Sequence, residues 1–288
     1  MSQILLQVWG CRGGRNTCNS HIGNSTSCYS LAAGADLFVF DAGRGLCTLA
    51  AALATDERLW GIERIHLLIT HAHMDHWEGL KDADWLWRRD NELELTVLAP
   101  KEALDTIAAG HQPPAFVPLD VLALGTLRRL SFVELAAGAP IDLPGATLQA
   151  FSLRHYSGTP PHQRYLDTLG YRLAIAGGPT VAYLSDHEPT VDTRAMEDEV
   201  ASGSQLVIVD ANYSDVPQHA FGHGSIESAA ELARRHPATH VMAGHHGPLQ
   251  SDSQIEDARG RHGAGLPNFT IAREGRDAVW DPAAGRFA

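Results

Sequence analysis

The sequence predicts one α/β domain spanning residues 1–288, and three observations support this fold class. Apolar segments of strand length alternate with segments of helical spacing along most of the chain. The chain has 288 residues, 44% hydrophobic and 19% charged, which suffices for one large core. Histidine or aspartate directly follows several of the apolar segments, and polar residues gather in this way at the carboxyl edge of open α/β sheets.

The elements follow in chain order. Residues 3–9 alternate as a strand, residues 10–27 form a Gly- and Ser-rich loop, and a hairpin joins 28–32 to 36–41. Further strands are predicted at 65–70, 95–99, 128–135, 146–155, 169–176, 180–185, 206–209 and 240–243. Helices are predicted at 45–55, 76–88, 101–109, 189–200 and 226–236, the last capped by Ser225. Segments 110–127 and 156–168 are predicted loops, which either line a substrate entrance or connect elements.

Charge and composition exclude some classes of partner. The formal net charge is −12, from 34 acidic and 22 basic residues, which argues against nucleic acid as the main partner. A small anionic substrate at a local positive centre remains compatible with this charge. No apolar run reaches 18 residues, so no membrane span is expected. The first residues lack a basic leader, and we predict a cytoplasmic protein.

Cysteine usage agrees with that compartment. The four cysteines, Cys11, Cys18, Cys28 and Cys47, fall in the first 50 residues without a Cys-x-x-Cys pair. A structural zinc site or a disulfide is the alternative, but free thiols are the better prediction for a reducing compartment.

The most informative segment is residues 70–76, Thr-His-Ala-His-Met-Asp-His, directly after the apolar run 65–69. Buried histidine and aspartate side chains must be hydrogen-bonded, paired or ligated. Four of them in one short turn therefore predict a metal site. Candidate ligands also follow three later strands: His155 after 146–153, Asp186 after 180–185, and His245 or His246 after 240–243.

These residues, in this order, resemble the metallo-β-lactamase superfamily. The motif His71-x-His73-x-Asp75-His76, followed by His155, Asp186 and His245, carries the resemblance. Four further segments are similar to the branch of ribonuclease Z and cyclic phosphodiesterases: Gly10–Gly14, Gly23–Cys28, Tyr183–Glu188 and Phe221–Ser225. That branch typically has Gly-Gly-Asn-Thr-Ser, and this chain carries an extra serine in the corresponding segment.

The resemblance implies a sandwich of two mixed β-sheets flanked by helices, with two divalent ions at one edge. It assigns His71, His73 and His155 to one ion and Asp75, His76 and His245 to the other. Asp186 would bridge the ions beside a shared water, and His246 is the alternative to His245. Nitrogen and oxygen ligands suit Zn²⁺ first, with Mn²⁺ or iron as alternatives.

The candidate catalytic residues are Asp75, Asp186 and His223. The resemblance implies that His223 is a general acid or phosphate partner; otherwise it is a surface histidine before a helix cap. Asp210 either orients a ligand or caps a strand end. The leading prediction is a phosphodiesterase that uses a metal-bridging hydroxide on small phosphate esters, with cyclic nucleotide-like esters among the candidate substrates. Homodimers are common in this branch, so a homodimer is a further expectation.

Three alternatives stay open. The first is a lactonase or β-lactamase-like hydrolase of C–O or C–N bonds. The second is a tRNA 3′-processing endonuclease, which the sequence disfavours because 77–154 lacks a basic cluster. The basic residues considered there are Arg88, Arg89, Lys101, Arg128 and Arg129. The third is a binding protein whose metal site is only structural.

Several aromatic residues near these motifs are pocket candidates, although packing is the simpler interpretation for each one alone. They are Trp77, Trp85, Trp87, Tyr156 and Tyr165, and His162 lies in the same loop as the tyrosines.

Overall fold

The computed structural model describes residues 3–88, 92–159, 161–216 and 222–288. Phe221, the first residue of the segment 221–225 singled out above, and Arg89 of segment 77–154 lie outside the described residues. The strands are β1 (Ile4–Gly10), β2 (Cys28–Ala33), β3 (Asp36–Phe40), β4 (Arg64–Leu68), β5 (Glu94–Ala99), β6 (Arg129–Glu134), β7 (Ile141–Leu143), β8 (Ala146–Ser152), β9 (Tyr156–Ser157), β10 (Arg164–Tyr165), β11 (Leu169–Ile175), β12 (Thr180–Leu184), β13 (Leu206–Asp210), β14 (His240–Gly244), β15 (Phe269–Ile271), β16 (Asp277–Asp281) and β17 (Arg286–Phe287). The α-helices are α1 (Gly45–Thr55), α2 (Lys101–Gly110), α3 (Leu119–Ala123), α4 (Arg194–Ala201), α5 (Ile226–Arg235) and α6 (Asp252–His262).

Two mixed sheets form the framework. Among the described residues, the first has the order β17-β16-β1-β2-β3-β4-β5-β6 and the second β15-β14-β13-β12-β11-β8-β7. Strands β3 to β6 run parallel, as do β12 to β15, while the hairpin strands β1, β2 and β3 pair antiparallel. The predicted fold of two mixed sheets flanked by helices is confirmed.

The alternation of side chains along β3 shows how the layers form. Leu37 and Val39 belong to an outer cluster shared with α1, which includes Leu46 and Leu49. Phe38 and Phe40 belong to the inner cluster, which joins both sheets. A strand with apolar residues on both faces is buried on both faces, which explains why this segment reads as continuously hydrophobic.

The predicted helix over 76–88 is wrong. The chain there forms short 3₁₀ turns at Met74–His76 and Glu78–Asp82 and then irregular turns. The Gly79 amide donates to the carbonyl of Ala42 at 2.9 Å, and the His76 carbonyl accepts from the Ala42 amide at 2.7 Å. These bonds to the turn after β3 replace the bonds that an α-helix would make within itself.

Other boundaries differ for local reasons. The helix predicted from Pro189 begins only at Arg194, because Thr190 and Thr193 exchange side-chain-to-backbone hydrogen bonds in a preceding turn. Segment 110–127 contains the short helix α3, and segment 156–168 contains the ribbon of β9 and β10.

Two further findings concern the cysteines and the helices. All four cysteines, which lie in the described part of the chain, are free, as predicted. None of the helices within the described ranges combines the length and apolar character needed to cross a bilayer.

Candidate metal centre

The predicted metal-binding residues come together at one edge of the sandwich, at the carboxyl ends of strands from both sheets. The turn 71–76 follows β4 of the first sheet. His155, Asp186 and His245 follow strands β8, β12 and β14 of the second sheet, respectively. His245 comes directly after the last residue of β14. Asp186 and His245 adopt left-handed backbone angles, with φ of 41° and 53°, so the chain turns sharply at each. Strained angles of this kind are typical of residues held by a functional site.

One group of donors contains His71, His73, His155 and Asp186, whose ligand atoms all lie within 4.8 Å of one another. His155 Nε2 lies 3.1 Å from His73 Nδ1. Asp186 Oδ2 lies 3.4 Å from His155 Nε2 and 3.6 Å from His71 Nε2. We call these residues the first group.

A second group of donors contains Asp75, His76 and His245, again with ligand atoms within 4.8 Å of one another. Asp75 Oδ2 lies 3.3 Å from His76 Nε2 and 3.4 Å from His245 Nε2. Asp186 Oδ1 lies 3.3 Å from His76 Nε2 and 3.0 Å from His245 Nε2. The two oxygens of Asp186 therefore face different groups.

The hydrogen bonding of the imidazoles fits metal ligation. The Nε2 atoms of His71 and His76 are buried and make no hydrogen bond. Their second nitrogens are held: His76 Nδ1 contacts Asp41 Oδ2 at 2.7 Å, and His71 Nδ1 contacts Thr70 Oγ1 at 3.0 Å. His155 Nδ1 donates to the Gly222 carbonyl at 2.6 Å. A ring nitrogen anchored in this way leaves the other free for a cation, so the donor set suits a divalent metal ion.

Electrostatics favour the neutral form of two imidazoles and the ionised form of Asp186, whereas the neighbouring carboxylates outweigh burial and raise the pKa of His76 and of His245 well above the ordinary value. Burial lowers the pKa of His71 well below its ordinary value and that of His155 to about 4. Both rings are therefore neutral near pH 7, as a ligand must be. Burial alone would raise the pKa of Asp186, but the facing His245 and His76 outweigh it and hold that pKa well below the ordinary value. The carboxylate is thus ionised in the centre.

Side-chain contacts distinguish His245 from His246. His246 points away from the centre, where its Nε2 donates to the Ala272 carbonyl at 3.3 Å. Burial lowers its pKa to about 4. Among the described residues, His246 belongs to no cluster of potential ligands, whereas His245 belongs to two.

His223 lies beside this centre and is paired with Asp210. Its Nδ1 lies 2.8 Å from Asp210 Oδ2 and 3.9 Å from Asp186 Oδ2, and its ring stacks on His245 with centroids 5.3 Å apart. Burial alone would lower the pKa of His223, but the charge and hydrogen bond of Asp210 outweigh it and raise that pKa. Asp210, at the end of β13, also accepts from the amides of His187 and Asn212 at 3.1 and 3.0 Å.

Sequence reasoning missed the buried carboxylate of Asp41. It accepts hydrogen bonds from the Thr70 amide at 2.9 Å and from Tyr183 Oη at 2.8 Å, besides its contact with His76. Its φ is 58°. Asp41 follows β3, the parallel neighbour of β4, so the rule that polar residues gather at strand ends could have found it.

The aromatic candidates divide between core and surface. Trp77, Trp85 and Trp87 all pack against the outer cluster. Tyr156 is buried against Tyr165, with ring centroids 5.5 Å apart, and Tyr165 is 54% exposed. Tyr213, which the sequence did not single out, lies with its ring centroid 6.3 Å from that of His223. His162, the remaining candidate from the sequence, is exposed.

Comparisons with known proteins agree with this architecture. The model of the beta-lactamase superfamily domain matches residues 37–246. Ribonuclease Z from Mycobacterium sp. (strain KMS) is 26% identical over 262 residues, covering 82% of each chain. A diphosphatase from the PhnP family superposes with a TM-score of 0.66 at 16% identity, covering 96% of this chain and 97% of its own. Unliganded yeast PDE1 gives a TM-score of 0.66 at 14% identity, covering 98% and 100%.

The sandwich with its edge of histidines and aspartates defines a metal-dependent hydrolase. The chain belongs to the beta-lactamase superfamily and has the metallo-β-lactamase fold. The resemblance predicted from the motifs, including the branch of ribonuclease Z and cyclic phosphodiesterases, is confirmed.

Proposed function

We propose that this protein is a phosphodiesterase with a centre of two divalent ions, Zn²⁺ in the first instance, acting on small anionic phosphate esters. The first group would hold one ion and the second group the other, with Asp186 shared between them. Bound divalent ions supply an activated water and positive charge for the oxygens of an ester. The free thiols fit a reducing compartment such as the cytoplasm.

The observation that carries the proposal is the His223–Asp210 pair, held 3.9 Å from the shared carboxylate of Asp186. With Nδ1 engaged by Asp210, Nε2 is the His223 atom that can hold a proton for a leaving alkoxide. Protonation of the leaving oxygen matters most for esters whose alcohol is a poor leaving group. Asp210 fixes the orientation and tautomer of His223, as a carboxylate partner commonly does for a catalytic histidine.

A small ester is favoured over a large nucleic acid on the grounds of charge. The net charge of −12 opposes a polyanion, whereas a single phosphate can be bound at the local centre of cations. The similarity to a ribonuclease Z, at 26% identity, is the specific observation in favour of tRNA processing. Precursor tRNA therefore belongs in the test.

The test compares substrates on protein loaded with zinc or manganese. We expect turnover of bis-p-nitrophenyl phosphate above that of lactones, nitrocefin and precursor tRNA. His223→Ala should lower kcat by about 10²–10⁴-fold for a diester with a poorly leaving alcohol, such as a cyclic nucleotide, without changing metal content. The loss should be smaller for bis-p-nitrophenyl phosphate, whose leaving group needs little protonation. His236→Ala is the matched control, because His236 also pairs with an aspartate, Asp198, at the far end of α5.

Three outcomes would overturn the proposal. Lactone turnover without diester turnover would identify a carbon-centred hydrolase. Cleavage of precursor tRNA near physiological salt, faster than the small diester, would identify a processing nuclease. Loss of metal or folding in Asp186→Ala, from a wild-type protein without turnover on any substrate, would identify a binding protein.

A further inference from the structure

The Gly-rich loop 10–27 extends to the second group of ligands. The Gly14 amide donates to Asp75 Oδ2 at 2.6 Å, the same oxygen that faces His76 and His245. A carboxylate oxygen has two lone pairs, so it can accept this hydrogen bond and still bind a cation. Gly14 has φ of 72°, a conformation that glycine adopts without strain.

Gly13 packs directly against the ring of His245. A Cβ at this position would lie 2.4 Å from His245 Cε1 and 2.6–2.7 Å from both ring nitrogens. These three ring atoms are the nearest neighbours of such a Cβ. The imidazole can therefore lie where it does only because Gly13 has no side chain. The loop therefore contacts two of the three residues of the second group.

A buried arginine fixes the loop in this place. Arg12 is 1% exposed, and its Nη2 donates to Asp252 Oδ1 at 2.8 Å and to Ser20 Oγ at 2.7 Å. Its Nε donates to the Gly23 carbonyl at 2.8 Å, and Nη1 donates to the Gln250 carbonyl at 3.1 Å. We call Arg12 with Asp252 the Arg12 clamp. It ties the loop to the start of α6.

The backbone reinforces the clamp on both sides. The Gly13 amide donates to the His246 carbonyl at 3.0 Å, and the His246 amide donates to the Cys11 carbonyl at 2.9 Å. The loop and the segment that carries His245 are thus joined as one piece. The first group is held from elsewhere, through Thr70 beside His71 and the Gly222 carbonyl at His155.

We propose that the Gly13–Gly14 turn, held by the Arg12 clamp, positions the second ion site and leaves the first ion site unaffected. The inference rests on the two-ion centre of the proposed function. Asp75 and His245 are oriented by the loop, so its displacement should weaken one ion and not the other. Partners that orient metal ligands are worth on the order of 10–100-fold in metal affinity.

The experiment measures Zn²⁺ affinity and stoichiometry in three variants by chelator competition and elemental analysis. Gly13→Ala places a methyl group against His245. Asp252→Asn keeps the shape of the clamp and removes the carboxylate charge that pairs with Arg12. Gly61→Ala is the matched control, because a Cβ there meets no atom within 4 Å.

We expect wild-type protein and Gly61→Ala to hold two ions with unchanged affinities. Gly13→Ala and Asp252→Asn should hold the first ion normally and bind the second about 10–100-fold more weakly. If Gly13→Ala does not fold, Asp252→Asn gives the answer alone.

Two results would overturn the inference while the proposed function stands: both variants retain two ions with wild-type affinities, or both sites weaken equally. A wild-type protein that holds fewer than two ions would overturn the two-ion centre itself, and the inference with it.

Discussion

Replacement of Asp41 by asparagine tests whether this buried carboxylate orients His76, a proposed metal ligand. Asp41 is fully buried, and its Oδ2 contacts both His76 Nδ1 at 2.7 Å and Tyr183 Oη at 2.8 Å. Its φ of 58° is one that asparagine tolerates, so Asp41→Asn changes the chemistry with little backbone strain.

The expected cost follows from the donors that lose an acceptor. If the amide oxygen stays with Thr70, the amide nitrogen replaces the oxygen that served His76 and Tyr183. Each buried donor left unsatisfied costs about 1–3 kcal/mol, so the free energy of unfolding should fall by about 2–6 kcal/mol. If His76 Nδ1 instead accepts from the amide, only Tyr183 loses its acceptor and the stability cost falls to about 1–3 kcal/mol. The proton of His76 then moves to Nε2, which has no lone pair left for a cation.

The assay combines urea unfolding with zinc competition. Asp41→Asn should lose stability and bind one ion about 10–100-fold more weakly. The control is Asp36→Asn, since Asp36 is buried at the opposite end of β3, where it pairs with Arg64 at 2.7 Å and His66 at 3.0 Å. Asp36→Asn should lose stability and keep its zinc affinity. Wild-type stability and zinc affinity in Asp41→Asn would refute the reasoning.

Three further predictions follow from the same geometry. Removal of metal by a chelator should lower Tm and zinc should restore it, since a ligand at 100 times its Kd contributes about 2.7 kcal/mol; an unchanged Tm would contradict the centre. His245→Ala should halve the zinc content and His246→Gln should not, and the reverse result would make His246 the ligand. Burial alone would raise the pKa of Asp252, but bonds from Ser20 and the His21 amide and the charge of Arg12 hold it below 3.8. This carboxylate therefore stabilises the fold above about pH 4 and stops doing so as pH falls through its folded-state pKa, so acid unfolding of Asp252→Asn below about pH 4 should be less steep. An unchanged slope would exclude this contribution.

The sequence was sufficient to single out the candidate ligands that the structure brings together, because they obey a local rule. Each candidate stands within a few residues of the end of an apolar strand, and strands of one sheet that run parallel end at one edge. His155, Asp186 and His245 could be proposed without knowledge of which strands are neighbours. The pairing of His223 with Asp210 could not be predicted in this way. It depends on how close the end of β13 lies to the loop before α5, which the sequence does not give.

The segment 76–88 shows where local reasoning fails. Its composition suits a helix, but the backbone of His76 and Gly79 bonds to the turn after β3. Tertiary hydrogen bonds of this kind leave no trace in residue periodicity. Helix α6, by contrast, was overlooked although Ser251 and Gln254 form a capping box, a pattern visible in the sequence. The C-terminal strands β15 and β17, with three and two residues, are too short for a clear alternation.

The division of the ligands between the two sheets has a consequence for assembly of the protein. Within each group of ligands, some follow β4 of one sheet and the others follow strands of the opposite sheet. A bound cation would then join halves of the polypeptide that are remote in sequence, much as a cross-link does. Neither half alone could retain the cation, so binding of the cation and packing of the two sheets against each other would depend on one another.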